Sequence, residues 1–181
     1  TFNSATTLTG PVVLNTGAGA GNIVFASTLT GTTAGGQSLT MTAGTGDIDL
    51  QGVVGSTALS SLTVNSATTA RFSGNVTTTG AQNVTAGTIQ TNATHQTTNS
   101  DIAFTGNLVL QNSTALNTGT GAGNITVTGT TDATTAGGQS LTLTAGTGNT
   151  DLRGAVGTTA LSSVAVNSAT TARFGGNGFW R

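Results

Sequence analysis

The carboxylates are the first residues to test for chemistry, and this 181-residue chain has five, all aspartates. Asp47 and Asp49 are two residues apart, a spacing that places both on one outer strand face. Such a pair can act as acid and base on a glycoside or ligate calcium. However, no basic or aromatic neighbour is present to hold a sugar, and calcium prefers roughly six to eight oxygen ligands. We therefore expect a turn or solvated strand here, with no metal ion.

The single histidine, His95, lies in the polar run Thr91–Ser100. A catalytic triad needs a histidine that an acid orients and that pairs with a nucleophile. Asp101 is near in sequence, but no Gly-x-Ser-x-Gly motif accompanies it. The glycine runs lack the lysine or acidic partner of nucleotide-binding loops. We expect His95 to be exposed in a loop, and we predict no catalytic residue and no cofactor.

The composition favours an all-β protein. The chain contains no Lys, Glu or Cys, and its charged residues are four Arg and five Asp, for a net charge of −1. Lys and Glu usually cover exposed helical faces, whereas the abundant Thr, Val and Ile favour strands. A charge near zero creates no field that attracts nucleic acid, and no apolar run is long enough for a spanning helix. We expect no nucleic-acid partner and no direct membrane insertion.

Short β-strands are the elements that must position the aspartates and His95. Apolar pairs separated by one residue recur along the chain, and glycine-rich turn signals lie between them. The pairs include Val12/Leu14, Ile23/Phe25, Leu39/Met41, Ile48/Leu50, Leu62/Val64, Ile102/Phe104, Leu108/Leu110, Ile125/Val127, Leu141/Leu143 and Val164/Val166. A spacing of two puts both members on one strand face.

A long internal repeat selects the architecture. The segment 34–50 returns at 136–152, an offset of 136 − 34 = 102, and about three-quarters of positions 14–75 recur identically without a gap. A closed sandwich or barrel does not grow by appending such units, whereas a parallel β-helix does. We predict one continuous single-stranded parallel β-helix over 1–181, with roughly 20–25 residues per coil and about seven to nine coils. It comprises a first repeat (1–102), an incomplete second repeat (103–177) and an off-pattern aromatic tail (178–181).

Stacked coils should place like side chains in ladders. We expect asparagines at turns to bond the backbone of adjacent coils, and the two repeated phenylalanines to lie in the core. These predicted ladder residues are Asn22, Asn65, Asn75, Asn124, Asn167, Asn177, Phe72 and Phe174.

The two ends are candidate contact surfaces. Open β-helix ends carry unpaired strand edges that invite pairing with another chain. One interpretation of the tail is a short extension outside the repeat. The other is a head-to-tail contact between molecules that would use Thr1, Phe2, Phe179, Trp180 and Arg181.

Four short motifs have a simple composition in which glycine, threonine and serine are frequent: Gly19-Ala-Gly-Asn-Ile23 with its copy at 121–125, the Gln37–Gly46 segment, Val54–Ser61, and Val76-Thr-Thr-Thr-Gly-Ala-Gln82. With these motifs the chain resembles the passenger region of filamentous-haemagglutinin-like and autotransporter-type bacterial β-strand-repeat proteins. The resemblance implies a right-handed β-helix that is secreted or displayed on the bacterial surface. It also implies a role in adhesion, biofilm or the cell envelope, with a host or surface glycan or protein as ligand.

Three functional hypotheses follow. The first is a non-enzymatic extracellular structural and adhesive rod, which could also be the subunit of a head-to-tail filament. The second is an ice-binding solenoid that presents outward threonines at Thr40/Thr42, Thr126/Thr128 and Thr142/Thr144. The third is a glycan-processing β-helix enzyme, which would require a polar cleft.

Overall fold

The computed structural model describes residues 1–176 as an all-β solenoid of about seven turns, with parallel strands and no helix in that range. The predicted fold class is confirmed. The strands, numbered β1 to β20 along the chain, form three faces that the chain visits in a fixed order on every coil.

Each face is a parallel ladder of rungs contributed by successive coils. Face 1 contains β1 (Thr6–Leu8), β4 (Leu29–Gly31), β7 (Val54–Leu59), β10 (Val76–Thr78), β12 (Thr94–Gln96), β14 (Thr114–Asn117), β17 (Ser140–Thr144) and β19 (Ser163–Ser168). Face 2 contains β2 (Val12–Asn15), β5 (Ser38–Thr42), β8 (Ser61–Ser66), the first parts of β11 (Gln82–Thr91) and β13 (Ile102–Leu110), β15 (Ile125–Val127), β18 (Asn149–Leu152) and β20 (Thr171–Phe174). Face 3 contains β3 (Ile23–Phe25), β6 (Ile48–Leu50), β9 (Thr69–Phe72), the second parts of β11 and β13, and β16 (Thr131–Ala133).

Coil length varies more than the sequence suggested. Val76 pairs with His95, a coil of 95 − 76 = 19 residues. Leu116 pairs with Leu143, a coil of 143 − 116 = 27 residues. Turns of different length and register shifts within the pairs β5/β8, β7/β10, β11/β13 and β17/β19 accommodate this difference.

The 102-residue repeat is not a whole number of coils. From Leu39, four coils along face 2 lead through Leu62, Gln82 and Ile102 to Ile125. Leu141 lies two faces further along the chain, on face 1. The two copies of the repeat are therefore offset by four and two-thirds coils, and identical sequences lie on different faces of the rod.

Alternation along each strand forms the core. In β5, Leu39 and Met41 are fully buried while Thr40 and Thr42 lie partly exposed on the outside. The same pattern recurs in β17 with Leu141 and Leu143. The buried residues of all three faces form one hydrophobic cluster, which runs from Leu8 to Val156.

Glycine lets the chain turn the corner between faces 2 and 3 within a single long strand. Gly106, inside β13, has φ 139°, and a Cβ there would lie 1.8 Å from the carbonyl oxygen of Ala86 on the preceding coil. No L side chain fits this position without moving the backbone.

Both ends of the described solenoid leave the core partly uncovered. The partly buried apolar side chains that pack on the core all belong to the first or last coil: Val12 and Leu14 at one end, and Leu161, Val164, Val166 and Ala169 at the other. Strands β1 and β2 have a hydrogen-bonded neighbour on one side only, as do β19 and β20. Within residues 1–176, no helix is long and apolar enough to cross a bilayer.

Candidate functional site

One coil replaces the apolar core with a polar layer. Gln82, Thr91 and His95 project inward from faces 2, 3 and 1, and all three side chains are fully buried. The rungs that pair with His95, at Val76 and Leu116, are apolar. The prediction that His95 lies exposed in a loop is therefore wrong. It occupies β12, where it belongs to an alternation of buried and less buried residues over 91–97.

The polar layer satisfies its own hydrogen bonds. The Gln82 amide nitrogen donates to the carbonyl oxygen of Gln96 at 2.9 Å, so its oxygen faces His95 Nδ1 at 2.9 Å as an acceptor. This orientation assigns the proton to Nδ1. His95 Nε2 then accepts from the Thr91 hydroxyl at 3.0 Å, and that hydroxyl accepts from the amide of Ala93. The assignment follows from the donor and acceptor pattern.

Aromatic rings from adjacent coils enclose the imidazole. Phe72 and Phe104 each contact His95 edge to face, with ring centroids 5.1 Å apart. Burial lowers the pKa of His95 from 6.5 to about 3, because no water reaches the ring to solvate its charged form. The layer is therefore neutral near pH 7. The Thr91 hydroxyl that faces Nε2 is itself fully buried, so the described structure gives no open path from solvent to this pair.

Three of the predicted ladder asparagines bond the backbone of the next coil. The side-chain oxygen of Asn22 accepts from the amide of Asp47 at 2.8 Å, and that of Asn75 accepts from the amide of Thr94 at 3.0 Å. Asn124 accepts in the same way from the amide of Asn149 at 2.9 Å. Each side chain thus satisfies a backbone donor at a corner of the rod.

Carboxylates perform the same task, a role that the sequence did not suggest. Asp47 accepts from the amide of Thr69 at 2.9 Å, and Asp101 accepts from the amide of Asn124 at 2.7 Å. Asp132 accepts from the amide of Thr159 at 3.0 Å. Aspartate can replace asparagine here because only the acceptor oxygen is used.

Asn65 and Asn167 differ from the expectation, because they lie inside strands β8 and β19 rather than at turns. Their amides donate to outward threonine hydroxyls of the adjacent coil, at 3.1 Å to Thr42 and 3.4 Å to Thr144. Both asparagines lie at a register shift, where Thr42 pairs with Ser66 and Thr144 with Ser168, and their side chains face the outward threonine of the adjacent coil. Asn177 lies outside the described residues.

The prediction that both repeated phenylalanines lie in the core is wrong for Phe174. Phe72 lies on face 3 and is 1% exposed. Phe174 lies on face 2 in the last coil and is 41% exposed. The two-thirds-coil offset of the repeat separates them.

Charge is concentrated in two outer patches that the repeat relates. In the first, on face 3, Arg71 Nη1 lies 3.8 Å from Asp49 Oδ2, and Arg71 Nε donates to Gln90 Oε1 at 3.0 Å. Asp47 directly precedes β6, the strand that contains Asp49. In the second, on face 2, Asp151 pairs in register with Arg173, yet its Oδ2 accepts from Arg153 Nε at 2.8 Å.

A shallow polar groove runs over the second patch. It has a volume of about 370 Å³, and the outward residues that line it are Asn124, Thr126, Asn149, Asp151, Thr171 and Arg173. A second groove of about 470 Å³ continues from it past Arg153. Neither was evident from the sequence, because the lining residues come from three different coils in the first groove and from two in the second.

The threonine pairs considered for ice binding do not share a face. Thr40, Thr42 and Thr126 lie on face 2, and Thr128 directly follows the face 2 strand β15. Thr142 and Thr144 lie on face 1. On face 2 the outward rungs between Thr63 and Thr126 are Asn83 and Ala103. The outward threonines therefore form no continuous array.

At the first end, the Phe2 ring stacks on Phe25 with centroids 4.4 Å apart and is 40% exposed, while Thr1 is exposed. The other predicted contact residues, Phe179, Trp180 and Arg181, lie outside the described residues. Over residues 1–176, no three His or Asp side chains converge to hold a metal ion. No family model, curated protein or solved structure matches this chain.

Proposed function

We propose that this protein is an extracellular structural and adhesive rod of a bacterial surface or secreted adhesin. In this proposal its coils continue end to end from one molecule to the next, and it acts without catalysis. The solenoid fold is compatible with such a role, since one continuous core and three hydrogen-bonded faces make a stiff, elongated body.

The observation that carries the proposal is that the first and last coils of residues 1–176 hold apolar core-facing side chains that are only partly buried. Val12 and Leu14 at one end, and Val164 and Val166 at the other, are only partly buried although they point toward the core. Fully burying a Val or Leu side chain contributes roughly 1.5–3 kcal/mol. A further coil stacked on either end would supply this burial and pair the open strand edges.

A second copy provides a matching surface. Head-to-tail stacking would place β19 against β1 and β20 against β2, so each face would continue onto its own counterpart. Because association costs about 4–15 kcal/mol in lost freedom, we expect assembly to depend on concentration. Adhesion would then use the outer surfaces of the three faces, which remain exposed along the rod.

The experiment compares two substitutions in one terminal strand. Val166→Asp places a charge on the uncovered core, whereas Ala165→Asp places it on the outside of the same strand, where Ala165 is already exposed. We expect wild-type protein and A165D to form thin fibres in electron micrographs and concentration-dependent species in sedimentation, and V166D to remain a short rod. Circular dichroism establishes that both variants keep their β structure.

Two outcomes would overturn the proposal. Assembly by V166D equal to that of A165D, or a wild-type protein that stays monomeric at all concentrations, would refute end-to-end stacking. Antibodies raised against residues 1–176 should label intact producing cells or their medium. Labelling that appears only after the cells are opened would refute the extracellular location.

A further inference from the structure

The groove over the second charged patch differs in charge from its repeat counterpart. The first patch contains Asp47, Asp49 and Arg71, with a formal charge of −2 + 1 = −1. In the second, Asn149 replaces the first aspartate and Arg153 replaces Gln51, so that Asp151, Arg153 and Arg173 sum to −1 + 2 = +1. Two changes between the copies have thus reversed the sign of the patch.

The carboxylate bonds the residue two positions later in both patches: Gln51 Nε2 donates to Asp49 Oδ2 at 2.7 Å in the first patch, and Arg153 takes the place of Gln51 in the second. In the first patch, Arg71 has Asp49 on one side and Gln90 on the other. In the second, Asp151 Oδ2 bonds Arg153 of its own strand at 2.8 Å. Arg173 lies on the last described coil, where no following rung supplies a counterpart of Gln90, and it makes no salt bridge or side-chain hydrogen bond to any other described residue, although it lines the groove.

Neutral hydrogen-bonding groups surround this guanidinium. The hydroxyls of Thr126 and Thr171 form no side-chain hydrogen bonds within residues 1–176, and the exposed amide of Asn149 lies on the rung between them. The rungs are spaced about 4.8 Å apart. A guanidinium binds planar or tetrahedral oxyanions through paired N–H groups, and hydroxyl and amide groups suit the hydroxyls of a sugar.

We infer that this groove binds an anionic glycan, with Arg173 contacting a carboxylate or sulfate group and the flanking amide and hydroxyls contacting sugar hydroxyls. The inference rests on the adhesive part of the proposed function and names its ligand class. The free guanidinium, the reversed charge and the concave shape coincide at this place.

The repeat itself supplies matched variants. Arg173→Gln removes the free guanidinium, and the double variant Asn149→Asp/Arg153→Gln restores the composition of the first patch. Arg71→Gln is the control, because it removes the equivalent arginine from the other face. The probes are polygalacturonate, which carries carboxylates, dextran sulfate, which carries sulfate esters, and uncharged dextran, with binding measured by calorimetry at low and high salt.

We expect wild-type protein to bind at least one of the two charged polymers and not dextran, with affinity falling as salt rises. R173Q and N149D/R153Q should weaken binding about tenfold or more, as expected for a lost charge-assisted contact, and R71Q should remain within about twofold of wild type. The better of the two charged polymers identifies the anion. Equal loss in R71Q and R173Q, equal binding of dextran, or no binding at all would overturn the inference.

Two further measurements separate this site from the proposed assembly. V166D should still bind the charged polymer, as a single rod, when it no longer forms fibres. Wild-type protein that assembles but binds neither charged polymer would refute this inference and leave the proposed assembly standing. The opposite charges of the two patches also allow a second copy to occupy the groove. If R173Q weakens self-association in sedimentation and leaves polymer binding unchanged, the groove is a contact between copies and the glycan inference fails.

Discussion

Acidification should destabilise this solenoid through His95. The imidazole is fully buried between Phe72 and Phe104, and its hydrogen bonds to Gln82 and Thr91 use one donor and one acceptor nitrogen. Protonation would make both nitrogens donors and place a charge among groups that are all uncharged. The folded state therefore disfavours the protonated form, and the pKa falls to about 3.

The sign and size of the effect follow from linkage. The unfolded chain has a histidine pKa near 6.5, so it binds a proton below about pH 6.5, whereas the folded chain resists until about pH 3. The stability is fully present above pH 6.5 and falls by about 1.4 kcal/mol for each pH unit below it. Between pH 7.5 and pH 4.5, His95 should account for a loss of about 3 kcal/mol.

The assay is urea unfolding of wild-type protein and the Gln82→Leu/His95→Leu variant at pH 7.5 and 4.5. The double substitution matches the apolar residues on neighbouring rungs, namely Leu62 and Ile102 beside position 82, and Leu116 beside position 95. We expect the wild-type free energy of unfolding to fall by about 3 kcal/mol more than that of the variant. NMR titration of the imidazole should show a neutral ring, protonated on Nδ1, at pH 4.5.

Two results would refute this reasoning. Equal losses of stability in wild type and variant would show that His95 does not carry the pH dependence. An imidazole that titrates near pH 6.5 in the folded protein would show that the ring is solvated.

Two other pairs of substitutions test the corners of the rod. Gly106→Ala should lower the free energy of unfolding by more than about 2 kcal/mol, because its Cβ would lie 1.8 Å from the Ala86 carbonyl oxygen. Gly19→Ala has open space around it and should change the free energy of unfolding by less than about 0.5 kcal/mol. Equal effects of the two substitutions in urea unfolding would contradict the corner geometry. Asn22→Leu should cost about 1 kcal/mol because the amide of Asp47 loses its acceptor, and Asn65→Leu should cost less because Asn65 bonds only a threonine hydroxyl. The reverse order in thermal unfolding would refute the role given to the turn asparagines.

The strand pattern could be predicted because alternation is local. Leu39 and Met41 are both inward because any β-strand alternates its side chains, whatever lies beside it. The ungapped repeat then excluded architectures that close after a fixed number of strands. Alternation and the repeat are both visible before the pairing of any strand is known.

The site could not be predicted by the same reasoning. The neutral residues Gln82, Thr91 and His95 look like surface residues in the sequence, and only coil closure brings their side chains together in the core. The groove likewise combines Asn124, Asn149 and Thr171, which lie on three successive rungs. A polar residue is recognisable as buried only when its hydrogen-bond partners are known.

Composition, period-two alternation and the repeat by themselves determined that this chain forms short parallel strands around one extended core. Tertiary structure alone decided which face each strand occupies. Turns of unequal length give coils of 19 to 27 residues, so the repeat spans four and two-thirds coils and its copies lie on different faces. Arg71 therefore lies on face 3 beside Gln90 of the following coil, while Arg173, in the same sequence context, lies on face 2 in the last described coil and lines a groove there.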